Sequence, residues 1–186
     1  MLKLEKLDFK VLAKNGDAMY ELLDTNRARL SPWFWWADEK VTPNKLRFNM
    51  FMVLYILSTK YKEFTHKLNP IKTYDEQFLV RDKSGKIGGM MGLDNIDLTN
   101  KKAEIWGFAF KGNTETVPAL RLLEDYCINA LQLDSVYGKV QSENRASKYF
   151  WTKYGFDSVE LEKGVRVSSH NPTISDIYTY TKVLSR

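Results

Sequence analysis

The 186-residue chain is 44% hydrophobic and 27% charged, a balance that supports a packed core and excludes a disordered or fibrous protein. Its net charge of +5 comes from lysines spread along the chain rather than gathered in a block, so no nucleic-acid partner is expected; an anionic, phosphate-bearing ligand suits it better. No apolar run is long enough to span a bilayer, Met1 to Lys6 lacks the apolar stretch of a leader, and the single Cys127 has no partner for an internal disulfide. The expectation is one domain over residues 1–186, with no membrane partner, in a reducing, cytoplasmic setting.

Taken in chain order, Leu7, Phe9 and Val11 alternate with charged residues and predict a first strand. Asn15-Gly16-Asp17 predicts a break, with Asp17 capping a helix over Ala18 to Leu30. Four aromatics behind a proline follow, Pro32-Trp33-Phe34-Trp35-Trp36, and then a longer helix over Pro43 to Leu68. Gln77 to Arg81, Lys86 to Leu93 and Ala103 to Phe110 read as strands, the first two joined by the hairpin turn Asp82-Lys83-Ser84-Gly85.

Val117 to Leu131 is amphipathic, with Leu120, Leu123, Cys127, Ala130 and Leu131 on one face. Val136 to Gln141 is a short strand, and Asn144 to Tyr154 a helix stopped by Gly155. Strands over Ser158 to Leu161 and Ile177 to Val183 flank a loop around Ser168 to Thr173. Three consecutive strands imply an antiparallel meander, and the later strand–helix–strand implies a parallel neighbour. The fold class is therefore α/β (α+β): a mixed, mostly antiparallel central sheet of six to seven strands with helices on both faces.

Four stretches in this order resemble the GNAT N-acetyltransferase family, most closely its RimJ/RimL branch. Leu30-Ser-Pro-Trp-Phe-Trp-Trp36 is similar to a Leu-x-x-Trp-x-x-Trp element after the first helix. Ile87-Gly-Gly-Met-Met-Gly-Leu93 is similar to an Ile-Gly-x-x-Gly-Leu hairpin strand. Ala103-Glu-Ile-Trp-Gly-Phe108 is similar to the Ala-Glu-Ile-Gly-Tyr-Trp strand, with an extra aromatic before the glycine. Asn144-Arg-Ala-Ser147 through Lys153-Tyr-Gly-Phe156 is similar to the Asn-x-x-Ser…Lys-x-Gly-Phe helix.

The resemblance implies transfer of an acetyl group from acetyl-CoA (coenzyme A) to an amine, either a protein N-terminus or a small molecule, by a monomer or homodimer. It implies that Phe108, Ala109, Phe110, Lys111, Gly112, Asn113 and Thr114 bind the cofactor, with Asn144 positioning its pantetheine chain. The helix N-terminus that follows suits a pyrophosphate, because its first amides lack intrahelical partners. The loop departs from the family pattern at Ala109, Thr114 and Pro118. That leaves an alternative open: a catalytically impaired GNAT-fold CoA-binding or regulatory protein.

An amine attacks a thioester only with its lone pair free, so a base must take a proton from the ammonium. Glu104, among apolar neighbours in a central strand, is the first candidate, and Glu160 and Glu162 are alternatives. Ser147, on the helix face of Asn144, is the candidate donor to the leaving thiolate; Trp151 stands where many relatives have a tyrosine. Trp33, Trp35 and Trp36 are candidates for the acceptor wall or, equally, for an apolar staple between helices, and His170 for reaching the acceptor. His66 and His170 are too isolated to hold a metal. Cys127 falls on a core-facing helix position.

Overall fold

The computed structural model describes residues 2–109, 116–166 and 174–185. The elements run β1 (Lys3–Lys6), α1 (Phe9–Leu30), a 3-10 turn (Trp35–Ala37), α2 (Lys45–Leu68), β2 (Tyr74–Arg81), β3 (Ile87–Asp97) and β4 (Lys102–Ala109), then α3 (Thr116–Asn129), β5 (Ser135–Gln141), α4 (Arg145–Lys153), β6 (Ser158–Arg166) and β7 (Ile174–Val183). The strands form one seven-stranded sheet in the order β1-β2-β3-β4-β5-β7-β6. β4 and β5 are its parallel pair; every other neighbour is antiparallel.

The N-terminus corrects two expectations. Leu7, Phe9 and Val11 do not form a strand, because Asp8 caps a helix: its carboxylate accepts the Val11 amide at 2.7 Å. The buried positions Leu12, Met19, Leu23 and Leu30 then follow helical spacing through α1. Asn15-Gly16-Asp17, expected to break the chain, lies inside that helix and serves tertiary contacts. Asn15 accepts from the Arg81 guanidinium at 3.0 Å. Gly16 lets α2 approach: a Cβ there would stand 2.8 Å from Asn49 Oδ1. Asp17 pairs with Lys45 at 2.5 Å.

Two hydrophobic clusters lie on opposite faces of the sheet. α3 and α4 cover the first, which holds Leu93, Ile105, Leu120, Leu123, Cys127, Val136, Trp151 and Phe156. α1 and α2 cover the second, which holds Leu23, Leu30, Phe48, Met52, Ile56, Leu79, Met90 and Phe108. Alternation along β4 decides which side chain serves which face. Ala103 and Ile105 go to the α3 cluster, while Trp106 and Phe108 go to the α1/α2 side. Each fully buried Leu, Ile or Phe contributes roughly 1.5–3 kcal/mol relative to exposure.

The sheet opens at its parallel pair. β4 and β5 are in register only at Lys102↔Ser135, Ala103↔Val136 and Glu104↔Tyr137. Beyond that point β4 continues on β3 as far as Gly89↔Ala109, and β5 continues on β7 as far as Gln141↔Ile177. Trp151 from α4 sits at this parting: a Cβ on Gly138 would meet its indole at 3.0 Å and the Ile105 carbonyl at 3.4 Å. The result is a wedge between the second halves of β4 and β5.

Candidate active site

A cavity of about 510 Å³ lies on the α1/α2 side of β4 and β5. Trp33, Phe34, Trp35 and Trp36 form one wall, Phe51 and Tyr55 of α2 a second, and Asp94, Glu104, Trp106 and Lys139 the floor along the sheet. Glu162 and Arg166 of β6 complete it.

The aromatic wall is ordered by ring packing and by a polar clasp. Trp36 stacks on Phe51 (centroids 6.1 Å), Phe51 on Tyr55 (5.9 Å), and Trp35 meets Phe51 edge-on (5.6 Å). Phe34 and Trp36 also pack on Phe108, at 5.2 and 5.7 Å. The segment thus joins two helices and lines a cavity at once. Arg27 holds its far end, donating to the Ala37 carbonyl at 2.9 Å and the Thr42 carbonyl at 3.0 Å, while the Thr42 hydroxyl donates to the Trp36 carbonyl at 2.9 Å.

The floor is acidic. Asp94 and Glu104 are direct register partners across β3 and β4, the last pair before a bulge. Within the bulge Asn95 adopts φ 53°, a conformation asparagine tolerates, and its amide donates to Asp75 at 3.0 Å while its side chain reaches Glu104 at 3.4 Å. Burial, reinforced by the negative charge of Asp75, pushes the Asp94 carboxyl up to about 6; a hydrogen bond from Trp106 Nε1 at 3.1 Å opposes the shift. Burial also raises Glu104, against the pull of Lys139, whose Nζ stands 3.9 Å away. The Tyr55 hydroxyl is pushed far up by burial and by the charges of Asp94 and Asp75, so it stays a neutral donor.

Gly92 makes this floor possible. It pairs with Trp106 across the strands, and a Cβ on it would stand 2.5 Å from the indole. Only glycine lets the ring lie flat over β3 and reach Asp94.

Of the residues singled out in the sequence, Trp33, Trp35, Trp36 and Glu104 line this one cavity, as does the alternative base Glu162. Glu160 is exposed on β6 and does not line it. Phe108 is buried in the α1/α2 cluster, and Ala109 ends β4 at the wedge. Ser147 and Asn144 stand at the start of α4, where the Asn144 side chain accepts the Ser147 amide at 3.1 Å and caps the helix. That helix belongs to the α3 face, so Ser147 and Glu104 are on opposite sides of the sheet. Phe110, Lys111, Gly112, Asn113, Thr114 and His170 lie outside the described residues.

Asp94 and Trp106 went unrecognised as site residues. Asp94 reads as the start of a polar link, yet it keeps the parity of Met90 and Gly92, the signal that could have placed it on the cavity side.

The acetyltransferase (GNAT) domain family matches residues 47–172. The chain belongs to this family and is by that membership an acetyl-CoA-dependent N-acetyltransferase. Among solved structures, it resembles RimL, described as a ribosomal L7/L12 alpha-N-protein acetyltransferase in complex with coenzyme A, at TM-score 0.70 and 16% identity over 98% of this chain and 94% of that one. It also resembles the Vibrio cholerae spermidine N-acetyltransferase in complex with CoA and spermine, at TM-score 0.66 and 18% identity over 98% and 95%. A probable acetyltransferase aligns at TM-score 0.71 and 21% identity over 98% and 92%. No curated protein matches by sequence search. At these identities the structural likeness establishes the fold. No helix among the described residues is long and apolar enough to cross a membrane.

Proposed function

We propose that the chain acetylates a primary amine by direct attack in a ternary complex, with the acceptor in the aromatic cavity and the acetyl donor in the β4/β5 wedge. Acetyl-CoA supplies a thioester carbonyl that an amine lone pair can attack. The wedge fits an extended pantetheine arm: β4 and β5 are in register only as far as Glu104↔Tyr137, and past that point the arm can lie between the strands and pair its amides with strand backbone. Its mouth opens between Glu104 on one face and α4 on the other.

Glu104 accepts the proton of the incoming ammonium, directly or through water, and so frees the lone pair. The new C–N bond forms as the C–S bond breaks, and the Ser147 hydroxyl donates a hydrogen bond to the departing sulfur. Asp94, held by Trp106, and Glu162 give the cavity the negative charge that attracts an alkylammonium, and the aromatic faces add cation–π attraction. Phe108, Ala109 and Phe110 are assigned to the pantetheine chain with Asn144, and Lys111 to Thr114 to the cofactor pyrophosphate. The lone, buried Cys127 fits a reducing, cytoplasmic setting.

One observation carries this reading: two paired carboxylates, both raised by burial, face a cavity walled by aromatics at the point where the sheet parts. A volume of about 510 Å³ is that of a small-molecule site, which supports a small amine ahead of a protein N-terminus. Thiol release from acetyl-CoA, screened over small amines and N-terminal peptides, tests it. Activity with small amines, rising with pH as the carboxylates ionise, is expected; cofactor binding without turnover on any amine would contradict it.

A further inference from the structure

The most unusual surface of the molecule is on α2. Among the described residues, eight of the seventeen large hydrophobic side chains left exposed belong to this one helix: Leu46, Met50, Val53, Leu54, Leu57, Tyr61, Phe64 and Leu68. Several are mostly exposed, with Leu46 at 69%, Tyr61 at 68% and Leu68 at 71%. At 3.6 residues per turn they fall within an arc of about 100°, running the whole length of the helix. The opposite side of the same helix carries Phe48, Met52 and Ile56, which are buried in the core. α2 is therefore apolar on two opposed faces, and the fold covers only one of them.

Eight such side chains at ~100 Å² each offer ~800 Å², beyond the patch of a typical monomer and equal to one partner's share of a standard protein interface. The charges around the stripe narrow the choice of occupant. Lys45 pairs with Asp17, Lys60 and Lys67 share Glu63 at 3.2 Å, and Lys62 pairs with Asp75. Each of these lysines is thus ion-paired within the chain, four lysines to three carboxylates, which leaves Arg47 as the cation of α2 outside these pairs. An anionic lipid surface draws on unpaired lysines and arginines, which this stripe largely lacks. A regularly spaced apolar stripe of this area, flanked by lysines already ion-paired within the chain, is instead self-complementary under two-fold rotation.

We infer that the exposed face of α2 is the interface of a homodimer, in which α2 packs antiparallel on its own copy about an axis near Leu57. Leu57 lies midway between Leu46 and Leu68, so each Leu57 meets its own equivalent and Leu46 meets the partner's Leu68. The inference is independent of acceptor chemistry. It also places the pair beside the active site, since Phe51 and Tyr55 of the same helix wall the cavity.

Light scattering of the full chain should give twice the 21.7 kDa chain mass at micromolar concentration. Leu57→Glu should halve that mass while leaving the far-ultraviolet circular dichroism unchanged, because the side chain is not part of the core. Oxidation should cross-link Leu57→Cys with itself. Leu46→Cys alone should stay uncross-linked, and Leu46→Cys combined with Leu68→Cys should cross-link. A wild-type monomer, an assembly that Leu57→Glu leaves intact, flotation of wild type with phosphatidylserine vesicles, or self-cross-linking of Leu46→Cys would each overturn the proposal.

Discussion

β4 shows two surfaces of one strand built to opposite ends. On the α3 side, Ala103 and Ile105 are sealed against Leu120, Leu123, Val136 and Trp151, all buried. On the other side, Glu104 and Trp106 line a cavity that also holds Asp94 and Lys139. The first surface spends its composition on dry packing. The second keeps two carboxylates in a setting that disfavours their charge, a cost to stability that makes sense where a proton must be moved. Along β4, stability and proton transfer from the amine should therefore separate by face.

The largest expected effect lies on the cavity face. Glu104→Gln should lower kcat about 10²–10⁴-fold while calorimetric acetyl-CoA binding and the melting temperature stay near wild type. Its counterpart on the dry face is Leu123→Ala, at a fully buried position. Denaturant unfolding should show a loss of about 2–5 kcal/mol, with per-molecule turnover of the folded fraction unchanged. A catalytic defect from Leu123→Ala as large as that from Glu104→Gln would break the separation.

Gly92→Ala sharpens it. The added methyl must displace the Trp106 indole, and the bond to Asp94 goes with it. Acceptor kcat/KM should fall about 10–100-fold through misplacement, read together with a shift in tryptophan emission.

The smallest effect has the opposite sign. The folded Asp94 carboxyl is raised to about 6, above its unfolded value near 4, so the folded state binds the proton more tightly. Its stabilising contribution is present at low pH and lost as pH rises through 6. Asp94→Asn should therefore be more stable than wild type by about 1–2 kcal/mol at pH 7, and equal to it below about pH 4. A mutant that is destabilised at pH 7 would argue that Asp94 is structural.

Legibility in the sequence followed the same division. The later elements were plain because local signals agreed with tertiary context: Asp82-Lys83-Ser84-Gly85 turns the hairpin, Asn144 caps α4, and Gly155 stops it at φ 83°. The first strand was misplaced because the Leu7–Val11 alternation is too short to outweigh a cap at Asp8. Asn15-Gly16-Asp17 misled because its turn-forming residues serve Arg81, Asn49 and Lys45, which lie remote in sequence. The strand motif singles out Glu104, which lines the cavity. No motif singles out Asp94, since its role depends on cross-strand register, on burial from α2, and on an indole twelve residues away. The exposed stripe of α2 was hidden for a related reason: apolar residues on two faces blur the helical period that would reveal either.

The central claim, amine acetylation driven by Glu104 at the mouth of the wedge, is tested most directly by a pH–rate profile of thiol release for wild type and Glu104→Gln with a saturating small amine. The account predicts a wild-type rate that climbs as the buried carboxylates ionise, and a variant that binds acetyl-CoA normally yet turns over at least about 100-fold more slowly. A Glu104→Gln variant with the wild-type rate and the wild-type profile would contradict it.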